Sequence, residues 1–381
     1  MPANTEMESN DASNNDDGRQ QKPPHERERR RSSIQMIIHR ISSLFFGEGG
    51  TNANTKNSND NDDNNNNNDM NTKINAVVAQ LTALELETAA RADYDYLKEQ
   101  QLTTAMVSNT SPNRSTVSTG GINTIALSTK QHDEERNRYA RRLIHRYIES
   151  KKGNVDVALV KIKNTLQFRQ KIHIDDLITA FDDHQKNDDE KSTYNKTTAT
   201  MLKHHLSSKK YYVQVYDKYG RSTLYFVPRN VTEHDTEWTI KEAIYSMERA
   251  LACSKSVGGT MNAIVDFTGF SITKHSPPVD IGKQFLTTLR NHYAGQIHKI
   301  YLVNTPYSFS ILWNIFGTFV GTNTHKKITM VNSVREKRKH VLKLYDIEEV
   351  PTWLIPGGQN NRAIVDIDDY LYALSFDTAF R

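Results

Sequence analysis

The chain has 381 residues, 36 % hydrophobic side chains and a formal net charge of +4. The apolar share lies below the roughly 45–50 % of globular domains, so a large part of the chain is expected outside a packed core. The small net charge excludes a global basic field for nucleic acid, and the single cysteine, Cys253, excludes an internal disulfide and fits a reducing compartment.

Residues 1–31 are polar and charged, and the opening MPANTEMESNDASNNDDG lacks the basic and apolar regions of a secretory leader. No apolar run approaches the roughly 20 residues that cross a bilayer. The expectation is a soluble, cytoplasmic protein that meets membranes only peripherally. Residues 32–46 place Ile34, Ile37, Ile38, Ile41, Leu44 and Phe45 on one helical face, directly after Arg27, Arg29, Arg30 and Arg31. An apolar stripe beside cations is the pattern of an interfacial helix on an anionic membrane. A transient helix or a segment docking on the protein's own domain are the alternatives. Ser32 and Ser33 follow the arginines at a spacing that suits a basic-directed kinase, and a phosphate there would offset the arginines.

Residues 51–73 are dominated by Asn and Asp and are expected to be disordered. Counted as a calcium loop from Asp60, the tract has Asn65 where the turn glycine belongs and Asn71 where the bidentate Glu belongs, so no metal is expected. Residues 75–100 are helix-permissive, and 101–131 read as a Ser/Thr/Asn-rich linker. Residues 1–131 are thus expected to be a largely disordered extension. Beyond it, 134–150 and 155–171 read as helices, and 184–200 as a polar loop. The strands expected are 211–217, 222–228, 261–267, 297–304 and 326–332. Helices are expected at 236–253, 280–293 and 333–344, with a further helical segment at 307–320. Strands alternating with helices imply an α/β fold with a mostly parallel sheet.

Enzymatic signatures are missing: there is no G-x-S-x-G, no P-loop, no G-x-G-x-x-G and no H-E-x-x-H. The adjacent His204 and His205 point apart on a helix and make a poor metal pair. Asp266 ends a strand, where α/β enzymes place carboxylates, but no base or nucleophile accompanies it. It is expected to accept hydrogen bonds from the following loop. No catalytic residue, metal or cofactor is expected. One segment stands apart. In 307–320, Tyr307, Phe309, Leu312, Trp313, Phe316 and Phe319 lie on all sides of the helix, which a core helix or a lid between a pocket and a membrane would require. An apolar pocket without catalytic groups suits a lipid ligand.

Six stretches resemble the CRAL-TRIO family of phospholipid transfer proteins and tocopherol and retinal carriers, in the family's order. RYIESKKGNVDVALVKIKNTLQFRQ at 146–170 is similar to the helical preamble, and YGRSTLYF at 219–226 to the D-G-R-P-V-Y-F strand. NAIVDFTGFS at 262–271 is similar to D-x-x-G-x-S. The run 291–313 resembles N-Y-P-E-R through F-x-x-x-W, TNTHKKI at 322–328 resembles T-x-x-K-I, and EEVPTWLIPGG at 348–358 the closing L-P-x-x-x-G-G. The resemblance implies a helical N-terminal subdomain at 132–184, a lipid-binding lobe at 185–358 and a tail at 359–381. In this CRAL-TRIO fold a mostly parallel sheet floors an apolar lipid pocket, closed by a gate helix at 307–320. It further implies that Lys151, Thr324 and Lys327 hold a lipid headgroup, while Gly295 occupies the position of the family's Glu. The implied function is non-enzymatic binding and transfer of one lipid, most simply a phospholipid, by a monomer with an anionic membrane as partner. The alternative is a protein-interaction scaffold with a degenerate pocket.

Overall fold

A computed structural model describes residues 63–97, 121–181, 189–231, 235–256, 258–293, 295–307, 309, 313, 320, 322–360, 367, 370 and 371. The N-terminal arm, with Arg30, Arg31, Ile34, Ile37, Ile38, Ile41, Leu44 and Phe45, lies outside them, as do the gate positions Leu312, Phe316 and Phe319.

Four helices form the first layer: α1 (Asp63–Val78), α2 (Ala83–Arg91), α3 (Gly121–Ser150) and α4 (Val155–Lys171). Thr82 and Glu85 close a reciprocal capping box at the start of α2. Asn154 caps α4 by accepting from the amide of Val157 at 3.0 Å. Ile74, Val77, Leu86, Ala89 and Ala90 pack against Tyr139, Leu143, Ile144 and Ile148 of α3 and Ala158, Ile162 and Leu166 of α4. The two alanines carry no side chain beyond Cβ, which favours close helix approach.

This layer corrects two expectations. The helical part starts at Asp63, not at 132, and α1 begins inside the Asn tract read as disordered. α3 likewise starts at Gly121, inside the stretch read as a linker. Helix propensity is poor in both, and the burial of Ile74 and Val77 against α3 overrides it.

Then follow α5 (Ile174–Ile178), α6 (Asp189–Leu206), β1 (Tyr211–Tyr216), β2 (Ser222–Phe226), α7 (Thr236–Cys253), β3 (Met261–Asp266), α8 (Ile272–His275), α9 (Val279–His292), β4 (Ile297–Val303), α10 (Thr322–His325), β5 (Ile328–Val331) and α11 (Val334–Val341). α6 replaces the loop expected at 184–200. Its buried positions Thr198, Leu202, His205 and Leu206 keep helical spacing, but two of the four are polar, which hid the face from a hydrophobicity reading.

The sheet order is β1-β2-β3-β4-β5, antiparallel between β1 and β2 and parallel thereafter. Asp217 organises the β1–β2 turn by accepting from the amides of Tyr219 and Arg221, both at 2.9 Å, and Gly220 supplies the φ of +74°. Along each strand alternate side chains face opposite layers. Tyr225, Ile264, Tyr301 and Val303 face Val341, Tyr345, Leu354 and Ile355. Leu224, Met261, Ile300 and Leu302 face the side covered by α7 and α9. The tail read at 359–381 reaches back to this second side. Leu371 is fully buried, and the Tyr370 hydroxyl accepts from the Val213 amide at 2.7 Å.

Candidate functional site

β3 is the central strand and is hydrogen-bonded on both sides. Its side chains on one face are buried, yet on the α7–α9 face Ala263 and Val265 are only partly buried. Phe226 of β2 and Ile328 of β5 share that face and that partial exposure. A parallel sheet normally buries both faces, so these half-covered apolar side chains mark a thinner cover on this side, although Ile300 and Leu302 of β4 between them are buried. Phe285 and Leu289 of α9 stand against the same core. At the strand ends, aromatic rings continue the apolar lining: Phe267 lies 5.3 Å from Phe270 and 4.5 Å from Phe309, and Phe309 lies 6.1 Å from Trp313. Two of the expected gate residues, Phe309 and Trp313, therefore meet the floor. Tyr307 does not: it is 96 % exposed.

The opposite end of the floor is polar. Lys327 precedes β5, its amide donates to the Thr324 carbonyl at 2.9 Å, and its ammonium donates to the Ile297 carbonyl at the start of β4. Burial lowers the Lys327 pKa, and the carboxylate of Glu149 near the end of α3 acts against that shift. Lys151 follows the same helix. Its pKa is lowered by burial and by the positive charges of Lys161 on α4 and Arg290 on α9. Gly295 lies at φ +75°, where a Cβ would stand 3.5 Å from the Cβ and Cδ of Arg146. A side chain there would be strained whatever its chemistry.

Sequence reasoning did not single out Lys161, Arg290, Asn291 or His292. Lys161 lies within α4 and the other three in the last turn of α9, and only packing of α9 on α4 brings Lys161 to Asn291. Nor did it single out the floor positions Phe226, Ala263 and Val265, although period-two alternation marks which residues share their face.

Asp266 behaves as its loop predicts. Thr268 donates to it through its amide at 3.0 Å and its hydroxyl at 2.6 Å, Arg229 at 2.7 Å and Asn304 at 3.1 Å. Burial alone would raise its pKa, but these donors lower it, so the carboxylate is a saturated acceptor. Among the described residues, no helix is long and apolar enough to cross a membrane.

Residues 206–354, which hold all five strands, match the family model of the CRAL/TRIO domain. The chain carries a CRAL/TRIO domain. Its relatives include the Sec14 cytosolic factor of Schizosaccharomyces pombe, 24 % identical over 49 % of this chain and 65 % of that protein. The phosphatidylinositol transfer protein PDR17 of Saccharomyces cerevisiae is 23 % identical over 42 % of this chain and 44 % of its own length. The solved structure of Sfh5 aligns at 15 % identity and a TM-score of 0.45, over 59 % of this chain and 75 % of that one. The chain spans only 17 % to 65 % of the length of the first curated relatives it matches. The helical layer α1–α4 and the helix α5 lie before the family match, and α6 ends where it begins.

Proposed function

We propose that this chain is a non-enzymatic carrier that takes one phospholipid into the opening over its sheet and exchanges it at membranes. The observation that carries the reading is the half-covered apolar row on the innermost strand, Ala263 and Val265, flanked by Phe226 and Ile328. Leaving such side chains unpacked forgoes burial worth roughly 25 cal/mol per Å², which an acyl chain lying on them would restore. The polar end fits the headgroup, with Lys151, Thr324 and Lys327 beside it. The names of the Sec14 and PDR17 relatives, a cytosolic factor and a phosphatidylinositol transfer protein, support the same class. On this reading the protein is cytoplasmic and peripherally membrane-bound. Phe309 and Trp313 belong to the segment that opens, and Tyr307 is turned outward to meet the bilayer.

Extraction of the purified full chain followed by mass spectrometry tests the reading. The expected result is one phospholipid per chain. A chain that carries no lipid, and takes none from phosphatidylcholine or phosphatidylinositol vesicles, is the interaction scaffold instead. Trp313→Asp is expected to slow exchange several-fold more than it lowers stability, because a carboxylate opposes insertion into an apolar phase.

A further inference from the structure

β4 ends at Val303, and the chain leaves it through Asn304, Thr305 and Pro306. Asn304 lies at φ +55°, in the left-handed region that residues other than glycine seldom adopt, asparagine more readily than most. Its side chain is bonded at both ends. The amide nitrogen donates to the Asp266 carboxylate at 3.1 Å and to the Thr268 hydroxyl at 2.7 Å. The amide oxygen accepts from the Lys337 ammonium of α11 at 2.6 Å. The amide thus stands between an anion and a cation, and each charge strengthens its own bond and fixes the direction of the dipole.

Lys337 reaches this point from the far layer. α11 packs on the face of the sheet opposite the proposed cavity. Lys337 is buried, whereas Arg335, Arg338 and Lys339 of the same helix are exposed. Among the described residues Lys337 has no direct ion pair, and the charge of Asp266 acts on it from the other side of the Asn304 amide. Thr305 is tied to the same helix. Its amide and hydroxyl donate to the Asn332 side-chain oxygen at 2.8 Å and 2.9 Å, and the Asn332 amide donates to the Glu336 carboxylate of α11 at 3.0 Å. Beyond Pro306 the ties change in kind. The Phe309 amide closes a turn on the Pro306 carbonyl at 2.8 Å, and the Phe309 ring meets Phe267 and Trp313. A root held by directional bonds therefore precedes residues that rest on the floor by apolar contact.

A left-handed residue held by its side chain has two arrangements in balance: the bonds favour this φ and the backbone opposes it. Turning Asn304 to an ordinary φ relieves the backbone and swings the amide off Lys337. We infer that Asn304 and Lys337 are the latch at the root of the chain beyond β4: bonded, they hold Phe309 and Trp313 on the sheet floor, and their separation lets the lipid pass. The inference rests on the carrier reading and adds two positioning residues to it, both acting through the backbone and not through contact with lipid. The rate of exchange is thereby set from α11, on the face of the sheet that holds no lipid.

The test follows a pyrene-labelled phosphatidylcholine moved by the full chain between vesicles of phosphatidylcholine and phosphatidylinositol. Lipid carried per chain and urea unfolding are measured beside it. Lys337→Met keeps the apolar stem and removes the donor. It is expected to speed exchange about fivefold or more, a share of what one charge-assisted bond is worth, with lipid per chain unchanged. Asn304→Ala removes the bonds and keeps the unfavourable φ, so it is expected to be the fastest. Asn304→Gly removes bonds and strain together and falls between Asn304→Ala and the parent. Lys337→Arg keeps a donor and stays within about twofold of the parent, as does Lys339→Met on the exposed side of α11. Rates within about twofold of the parent for both Lys337→Met and Asn304→Ala, or an Asn304→Gly protein faster than Asn304→Ala, overturn the latch while the carrier reading stands. Loss of stability and of bound lipid with no gain in exchange makes the pair a cap on the strand end and also overturns it. A parent chain that holds no lipid and moves none overturns the carrier reading and the latch with it.

Discussion

The two faces of β3 are built from neighbouring residues of one strand, yet they are packed in opposite ways. Ile264 is 1 % exposed and sits among Tyr225, Tyr301, Val303, Val331 and Tyr345, all at 2 % or less. Tyrosines on that side also satisfy their hydroxyls, Tyr345 with Thr223 at 2.7 Å and Tyr301 with the His340 carbonyl at 3.0 Å. Ala263 and Val265, one residue to either side, are only partly buried, though packed against the cluster on their side. The helices on the open side are tied instead through buried charge. Glu248 of α7 accepts from Arg169 of α4 at 2.9 Å and from Tyr293 at 2.7 Å, and also from Tyr94. Directional bonds from buried charge tie the helices at the margin of this face, whereas the other side combines apolar contact with hydrogen bonds of neutral side chains such as Tyr345 and Tyr301. The difference teaches that two faces of one strand can be covered to different degrees while both sides of the sheet hold extensive buried clusters.

The largest expected effect breaks the margin of the open side. Glu248→Ala leaves the Arg169 guanidinium buried without its carboxylate, which costs about 3–5 kcal/mol. Urea unfolding of the full chain measures it, and a loss below about 1 kcal/mol would mean that apolar contacts hold both sides equally.

Next in size is the pair on β3 itself. Ile264→Ala removes side chain from a filled layer and is expected to cost about 2–5 kcal/mol. Val265→Ala, on the open side, is expected to cost less than about 1 kcal/mol, because little packing is lost. Similar costs at the two positions would erase the contrast between the faces.

Ala263→Phe sharpens it from the other direction. Overpacking a filled core costs about 1–3 kcal/mol, but here the ring has room, so stability should change by less than about 1 kcal/mol. Lipid bound per chain should fall by more than half, since the ring occupies the floor. Undiminished lipid content would place the cavity elsewhere.

The smallest effect reports on the polar corner. His292 stacks on Phe168 at 4.0 Å and bonds the Thr165 hydroxyl at 3.0 Å. Burial, and then the charge of Lys161, lowers its pKa from 6.5 to about 4. A histidine held neutral in the folded state makes the unfolded chain the better proton acceptor, so stability falls as pH drops from about 6.5 towards 4. The loss is on the order of 1 kcal/mol after allowance for solvent screening at this half-buried ring. Titration of the His292 ring resonances should show the depressed value, and Lys161→Gln should raise it. A ring that titrates near 6.5 in both proteins would separate His292 from Lys161.

Much of this architecture is legible in the chain. α4 was expected at 155–171 and α7 at 236–253, and both are found there, because caps at Asn154 and Asp235 and helical apolar spacing agree in them. The short apolar runs that became β3 and β4 declared buried parallel strands by having no polar alternation. The saturation of Asp266 followed from its place before a Thr-Gly turn. α1 and the first turns of α3 were not legible, since Asn-, Ser- and Thr-rich residues have weak helix propensity and fold only against a partner.

The chain's own pattern determined the strand–helix alternation and the expectation of a mostly parallel sheet, because apolar periodicity and turn residues are local, and the series of six motifs carried the family resemblance. Only the tertiary structure decided that Phe226, Ala263 and Val265 stay half-covered while Ile264 is sealed, and that Lys161 of α4 meets Asn291 of α9. Both depend on which helix lies over which strand, and burial and charge proximity across 130 residues of sequence are properties of packing, not of any segment by itself.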